Sequence, residues 1–367
     1  VPGQDLRVRK SVRVAALVVS LGALVWAVAV PGSFRTRAQD TRPNIVLILT
    51  DDQTYDTLPS TPPSMPWLQR QIIDPSGHWI DLTNAFINTP LCCPSRATIL
   101  TGQWSHHTGV LGNRFGDRLN QNETIATWLH AAGYWTGLVG KYLNAYPFGE
   151  GPFVPPGWDR WFAKENESAS TVYYDYPYVD NGIQKLAGDQ PQFYATDFLA
   201  NQAVKFIQQA PATQPFFLYF ATSAPHDPWV PPPRYRTTFQ NLDIPLPPDL
   251  NQSNVSGMPP WIRALPRLSR GQVAREVRDM RRERECLLAV DDAVREVIGA
   301  IRSRGDTNRT VIFYLTDNGY SFGEHRWMTK ECPYEECIRT PFAVDVPGVA
   351  ARTDPTPVSN ADLAPTM

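Results

Sequence analysis

The chain reads as an α/β protein built on a large, mostly parallel mixed sheet with helices on both faces. Three observations predict this. Several short runs are apolar from end to end and rich in β-branched residues, as strands covered on both sides are. Longer segments carry apolar residues at helical spacing. The two kinds of segment alternate, as they do where helices join parallel strands.

The strands come in this order: "NIVLILT" (44–50), "WTGLVG" (135–140), "PFFLYFAT" (215–222) and "TVIFYLT" (310–316). Helices are expected at 123–132, at 195–209 and at 271–302, where Leu287, Leu288, Val290, Val294, Val297 and Ile298 make an apolar stripe. The stretches 147–188 and 225–268 are rich in Pro, Asp, Asn and aromatics and read as long loops over the active face. Their aromatics, Trp158, Trp161, Tyr173, Tyr174, Tyr176, Tyr178 and Trp229, could stack on a ligand's ring or serve as internal packing.

Composition narrows the function. A length of 367 residues with 42% hydrophobic content is ample for one folded domain, and 35 prolines fit long ordered loops. With 34 Lys+Arg against 36 Asp+Glu, the net charge of −2 argues against nucleic-acid or anionic-membrane partners. The N-terminus reads as an address. Arg7, Arg9, Lys10 and Arg13 precede the uncharged run "VAALVVSLGALVWAVAV" (14–30), and Ala27-Val28-Ala29 offers the small residues of a cleavage site. Residues 1–30 are therefore a signal peptide or an N-terminal anchor, 31–42 a linker, and 43–367 an exported domain that meets a membrane only through the first segment, if that stays uncleaved.

Export favours disulfides. Cys332 and Cys337, in "CPYEEC", are close enough in sequence to bridge, and Cys286 reads as a packed residue of a helix. A zinc site made from these two with Cys92 and Cys93 is disfavoured, because adjacent cysteines lack the gap that turns both sulfurs to one metal.

Ligands of open parallel sheets bind beyond the carboxyl ends of the strands. The first strand ends in Thr50-Asp51-Asp52-Gln53 and the last in Thr316-Asp317-Asn318-Gly319. Crowded carboxylates repel unless a cation neutralises them, and an all-oxygen set suits Ca²⁺ or Mg²⁺. Lys141 and His226 follow the two middle strands, so an anion binder and a proton carrier emerge on the same side.

The stretch "PLCCPSRATILTG" (90–102) resembles the signature of the sulfatase family. The resemblance extends to Asp51-Asp52, Gly140-Lys141, Pro225-His226, Asp317-Asn318-Gly319, Gly323-Glu324-His325 and Lys330, and so spans 43–367. It implies an alkaline phosphatase-like fold and cleavage of sulfate monoesters of sugars or aryl alcohols. It also implies that a dedicated formylglycine-generating enzyme oxidises Cys92 to an aldehyde, Cys93 being the variable position. The hydrated aldehyde attacks sulfur with one hydroxyl, and its second hydroxyl lets the sulfated intermediate collapse, which a plain serine could not do. By the same resemblance Asp51, Asp52, Asp317, Asn318 and the modified Cys92 hold Ca²⁺, or Mg²⁺ in its place. Arg96 holds the aldehyde hydrate, Lys141 and Lys330 grip the sulfate, and His226 protonates the leaving alcohol.

Two departures stand out. Many sulfatases have a histidine two residues after the first lysine, where this chain has Leu143, which leaves the elimination base unassigned. "GKYLN", "LCCPSR" and "APHDPW" resemble instead the branch containing N-acetylglucosamine-6-sulfatases. The sequence closes on "SNADLAPTM", which reads as the start of a helix, so the family's small C-terminal sheet is expected to be truncated. The rival readings are a phosphate or phosphonate monoester hydrolase of the same superfamily and an inactive exported binding protein on the same fold.

Overall fold

The computed structural model describes residues 41–149, 151–165 and 169–367; the apolar run at 14–30, read as a signal or anchor, lies outside them. Among the described residues no helix is long and apolar enough to cross a membrane. Ten strands make one sheet: β1 (Asn44–Thr50), β2 (Trp79–Leu82), β3 (Trp135–Lys141), β4 (Arg160–Lys164), β5 (Pro177–Asp180), β6 (Ile183–Leu186), β7 (Phe216–Ala221), β8 (Thr310–Thr316), β9 (Phe342–Asp345) and β10 (Arg352–Asp354). The longer helices are α1 (Pro66–Ile73), α2 (Cys92–Thr101), α3 (Ile125–Ala131), α4 (Ala195–Gln209) and α5 (Arg270–Ser303).

The spatial order is β10-β2-β9-β8-β1-β7-β3-β4-β5-β6. From β8 to β4 all neighbours are parallel, and antiparallel pairs flank this centre through β9 and β5. The expected mostly parallel centre is therefore present, with its apolar strands at the expected places. Side chains alternate across β1. Val46 and Ile48 join one core with residues of α1, α4 and α5, while Ile45, Leu47 and Leu49 join a second core with residues of α2 and α3. Both faces are thus buried, which is why β1 carries no polar alternation.

The stretch 147–188 departs from expectation, since it holds β4, β5 and β6 rather than only loop. β4 extends the parallel centre with Trp161, Phe162 and Ala163 buried. β5 and β6 form a hairpin through Asn181 (φ 47°) and Gly182 (φ 84°), the two left-handed residues that a tight type I′ turn requires. Burial also decides between the two readings of the aromatics: Trp158, Trp161, Tyr173, Tyr176 and Trp229 are buried packing. The stretch 225–268 contains only the short helix Pro260–Arg263 and is otherwise irregular, as expected. Cys332 and Cys337 form a disulfide with Cα atoms 5.7 Å apart, which rules out a four-cysteine zinc site, and Cys286 is buried in α5. Leu363–Thr366 is a short helix.

Candidate active site

Four adjacent parallel strands, in the order β8-β1-β7-β3, deliver the polar residues at their carboxyl ends. Asp317 and Asn318 follow β8, Asp51 and Asp52 follow β1, His226 follows β7, and Lys141 is the last residue of β3. Gly140 precedes this lysine at φ 114°, where an added Cβ would lie 1.8 Å from the Ala221 carbonyl oxygen. Only glycine lets β3 approach β7 this closely while turning Lys141 inward. Asp52 itself is held at φ 63°, a conformation that costs a non-glycine residue about 1–2 kcal/mol and that Asp tolerates better than most.

Cys92 opens α2, whose N-terminus directs partial positive charge at the thiol. The whole helix is buried, and it ends at Gly102 in a left-handed cap. One atom each from Asp51, Asp52, Cys92 and His226 lies within 4.8 Å of the others. Cys92 Sγ is 3.5 Å from Asp51 Oδ1, and Lys330 Nζ lies 2.9 Å from the same sulfur. Lys330 also donates to both Asp52 oxygens, at 2.8 and 2.7 Å, and sits 3.3 Å from His226 Nε2. Asp51, Asp52, Cys92, His226 and Lys330 therefore meet in one place.

Asp317 and Asn318 reach the group by another route. Asp317 Oδ2 accepts from Arg96 Nε at 2.7 Å, and its Oδ1 accepts the Asp52 N–H at 3.2 Å. Asn318 Nδ2 donates to Asp52 Oδ1 at 2.6 Å, while Asn318 Oδ1 is buried without a hydrogen-bond partner. An orphaned acceptor beside three carboxylates fits a hard cation. Repulsion between carboxylates does not by itself demand that cation, because side chains already supply positive charge: Lys141 pairs with Asp51, Lys330 with Asp52 and Arg96 with Asp317. Arg96 is fully buried, its Nη1 donates to the Lys141 carbonyl at 2.9 Å, and its Nη2 has no hydrogen-bond partner. Nη2 lies 3.8 Å from Asp51 Oδ2, so the one guanidinium faces both Asp317 and Asp51.

The electrostatics follow from this packing. Burial would raise the Asp51 carboxyl, but Lys141, His226, Arg96 and Lys330 outweigh it and hold the group well below the usual range. Asp317 moves the other way, to about 6, because burial and the Asp51 charge outweigh Arg96. His226 is pulled down by burial and pushed further up by Asp52 and Asp51, so it rests well above its ordinary value. One residue that sequence reasoning passed over orients it: Asp227, whose Oδ1 lies 2.9 Å and whose carbonyl lies 2.7 Å from His226 Nδ1. The signal was its place beside the histidine in "PHDP". Leu143, in the position of the family's second histidine, is buried in the apolar core.

Comparison with known proteins places the chain in a family. The chain is 33% identical over 353 residues to human N-acetylglucosamine-6-sulfatase, covering 92% of this chain and 62% of that protein. It is 31% identical to an arylsulfatase of Volvox carteri, covering 96% of this chain and 58% of that one. The chain thus spans less than two thirds of these relatives' length. A solved structure described as in complex with its substrate D-glucosamine-2-N,6-O-disulfate superposes with a TM-score of 0.70 at 26% identity, covering 89% of this chain and 76% of that one. The family model for sulfatases matches residues 43–367, and the chain belongs to the sulfatase family.

Proposed function

We propose that the protein is an exported sulfuric ester hydrolase acting on sulfated sugars, with a 6-O-sulfated glucosamine-type residue as the preferred substrate and aryl sulfates as activated surrogates. The observation that carries the reading is the convergence on Cys92 of Lys330 at 2.9 Å, Asp51 at 3.5 Å and, through Lys330, His226 at 3.3 Å. The sugar is supported by the likeness to N-acetylglucosamine-6-sulfatase and to the structure in complex with D-glucosamine-2-N,6-O-disulfate.

Asp51, Asp52, Asp317, Asn318 and position 92 would hold a divalent ion, Ca²⁺ by family usage, and that ion would supply Lewis acidity there. Formylglycine made from Cys92 by a dedicated enzyme supplies the attacking hydroxyl as its hydrate. Lys330 and Lys141 offset charge on the sulfate oxygens as the S–O bond to the alcohol breaks. Arg96, fixed by Asp317 and the Lys141 carbonyl with Nη2 toward Asp51, supplies the positive charge that holds the aldehyde hydrate. His226, protonated and oriented by Asp227, gives its proton to the leaving oxygen, so a neutral alcohol departs.

Peptide mass spectrometry across residues 85–102, with rates on glucosamine 6-sulfate, an aryl sulfate and an aryl phosphonate, tests this. An aldehyde at 92 and faster turnover of the sulfates are expected. An unmodified cysteine in an active enzyme, or a preference for the phosphonate, would overturn it.

A further inference from the structure

A second group of ligand-type side chains has no part in the chemistry above. Asp249, His325 and Glu336 each offer one atom within 4.8 Å of the other two. They come from three segments held by backbone and bridge. His325 N–H donates to the Asp249 carbonyl at 3.0 Å, and Asn251 N–H donates to the Gly323 carbonyl at 2.8 Å. Glu336 lies on the short helix Glu335–Ile338, inside the loop closed by Cys332 and Cys337.

The protons at this cluster leave a deficit of positive charge. His325 presents Nδ1 to Gln252 Oε1 at 3.0 Å and Nε2 to Asp249 Oδ2 at 3.1 Å, so both ring nitrogens face acceptors. A neutral ring has one proton for these two acceptors, which leaves the other nitrogen's lone pair against an oxygen. Two acceptors this close need a second ring proton or a cation between them. Glu336 Oε2 is buried with no hydrogen-bond partner, and so is the hydroxyl of Tyr334, whose ring packs on His325 with centroids 4.3 Å apart. The neighbouring guanidiniums are engaged elsewhere. Arg326 donates to the carbonyls of Gln252, Leu265 and Ser253, and Arg339 donates to Glu335, Tyr55 and the Thr83 carbonyl.

We propose that Asp249, His325 and Glu336 hold a second divalent ion of the Zn²⁺ type, separate from the one at Cys92. An imidazole with two carboxylates suits Zn²⁺ better than Ca²⁺, which prefers oxygen alone. Gln252 supplies the outer hydrogen bond that fixes a ligating histidine's tautomer. The ion would tie the loop at 249–251 to the segment 323–336 that carries Lys330.

The test is Zn²⁺ retention by equilibrium dialysis of the full chain in saturating Ca²⁺, with melting followed in parallel. Wild type is expected to retain Zn²⁺ and to melt higher with it. Glu336→Gln and His325→Asn should each weaken retention at least about tenfold and lose the thermal shift. Asparagine is chosen because His325 sits at φ 52°, which Asn tolerates. Cys92→Ser should retain the ion. If folded wild type retains none, if both cluster variants retain it unchanged, or if Cys92→Ser alone abolishes retention, the second site does not exist.

Discussion

Lys330 Nζ stands 2.9 Å from Cys92 Sγ while also holding both oxygens of Asp52. One ammonium thus ties a carboxylate of the candidate metal group to the residue proposed as the source of the nucleophile. Cys93, one residue on, faces away into the core, where burial pushes its thiol up to about 12. We therefore expect Cys92→Ala to lower kcat/KM by roughly 10³-fold or more. Cys93→Ala should keep most activity and lose on the order of 1 kcal/mol of stability from the small cavity. Equal loss of activity in both folded variants would refute the assignment.

Removing divalent metal separates two roles. Activity should fall at least about 100-fold, because the charge on the nucleophile and sulfate loses its Lewis acid. Stability should fall much less, since Lys141, Lys330 and Arg96 already pair with the three carboxylates. Ca²⁺ or Mg²⁺ should restore both quantities. Chelated protein that turns over at the original rate would return Asp51, Asp52 and Asp317 to a structural role.

The central strands were legible because strands buried on both faces leave unbroken apolar runs, as in 44–50 and 310–316. The candidate site was legible for a related reason: its residues stand at strand ends, where chain order alone places them on one side. What escaped was the sheet's periphery. β6 is exposed at all four residues, so no apolar pattern marks it, although Asn181-Gly182 was a usable turn signal. The pairing of Arg96 with Asp317 across 221 positions depends on how α2 docks beneath β8, and no local pattern records that.

Glu283 gives a pH dependence of stability. It is wholly buried, accepts hydrogen bonds from Thr54 N–H and Oγ1, both at 2.9 Å, and is pushed up to about 8 because burial outweighs Arg284. A carboxyl raised on folding binds its proton more tightly in the native state. Its contribution is therefore complete below about 4.5, the unfolded value, and is lost as pH rises through about 8. The slope from this group reaches at most about 1.4 kcal/mol per pH unit in that window. Glu283→Gln should flatten the corresponding fall in Tm between pH 5 and 8, a range chosen to lie roughly within that window. An unchanged profile in the variant would mean that Glu283 does not titrate there.

His226 decides how substrate choice depends on the leaving group. Asp52 and Asp51 push the imidazole well above its ordinary value, and its Nδ1 is fixed by Asp227. Its Nε2 lies 3.4 Å from Asp52 Oδ2 and 3.3 Å from Lys330 Nζ, on the side where sulfate would be gripped. A sugar alcohol leaves as a high-pKa alkoxide and needs a proton as the S–O bond breaks, whereas a nitrophenolate needs little help. General acid catalysis is typically worth about 10² to 10⁴ in rate, so His226→Ala should cost a sugar sulfate that factor and an aryl sulfate far less. Arg96→Ala should depress both alike, because its guanidinium serves the nucleophile. Asp227→Asn leaves the proton donor in place with poorer orientation and should fall between wild type and His226→Ala on the sugar substrate. Measuring kcat/KM for both substrates in the three variants settles the role: if His226→Ala slows the two by the same factor, the proton reaches the leaving oxygen from another group.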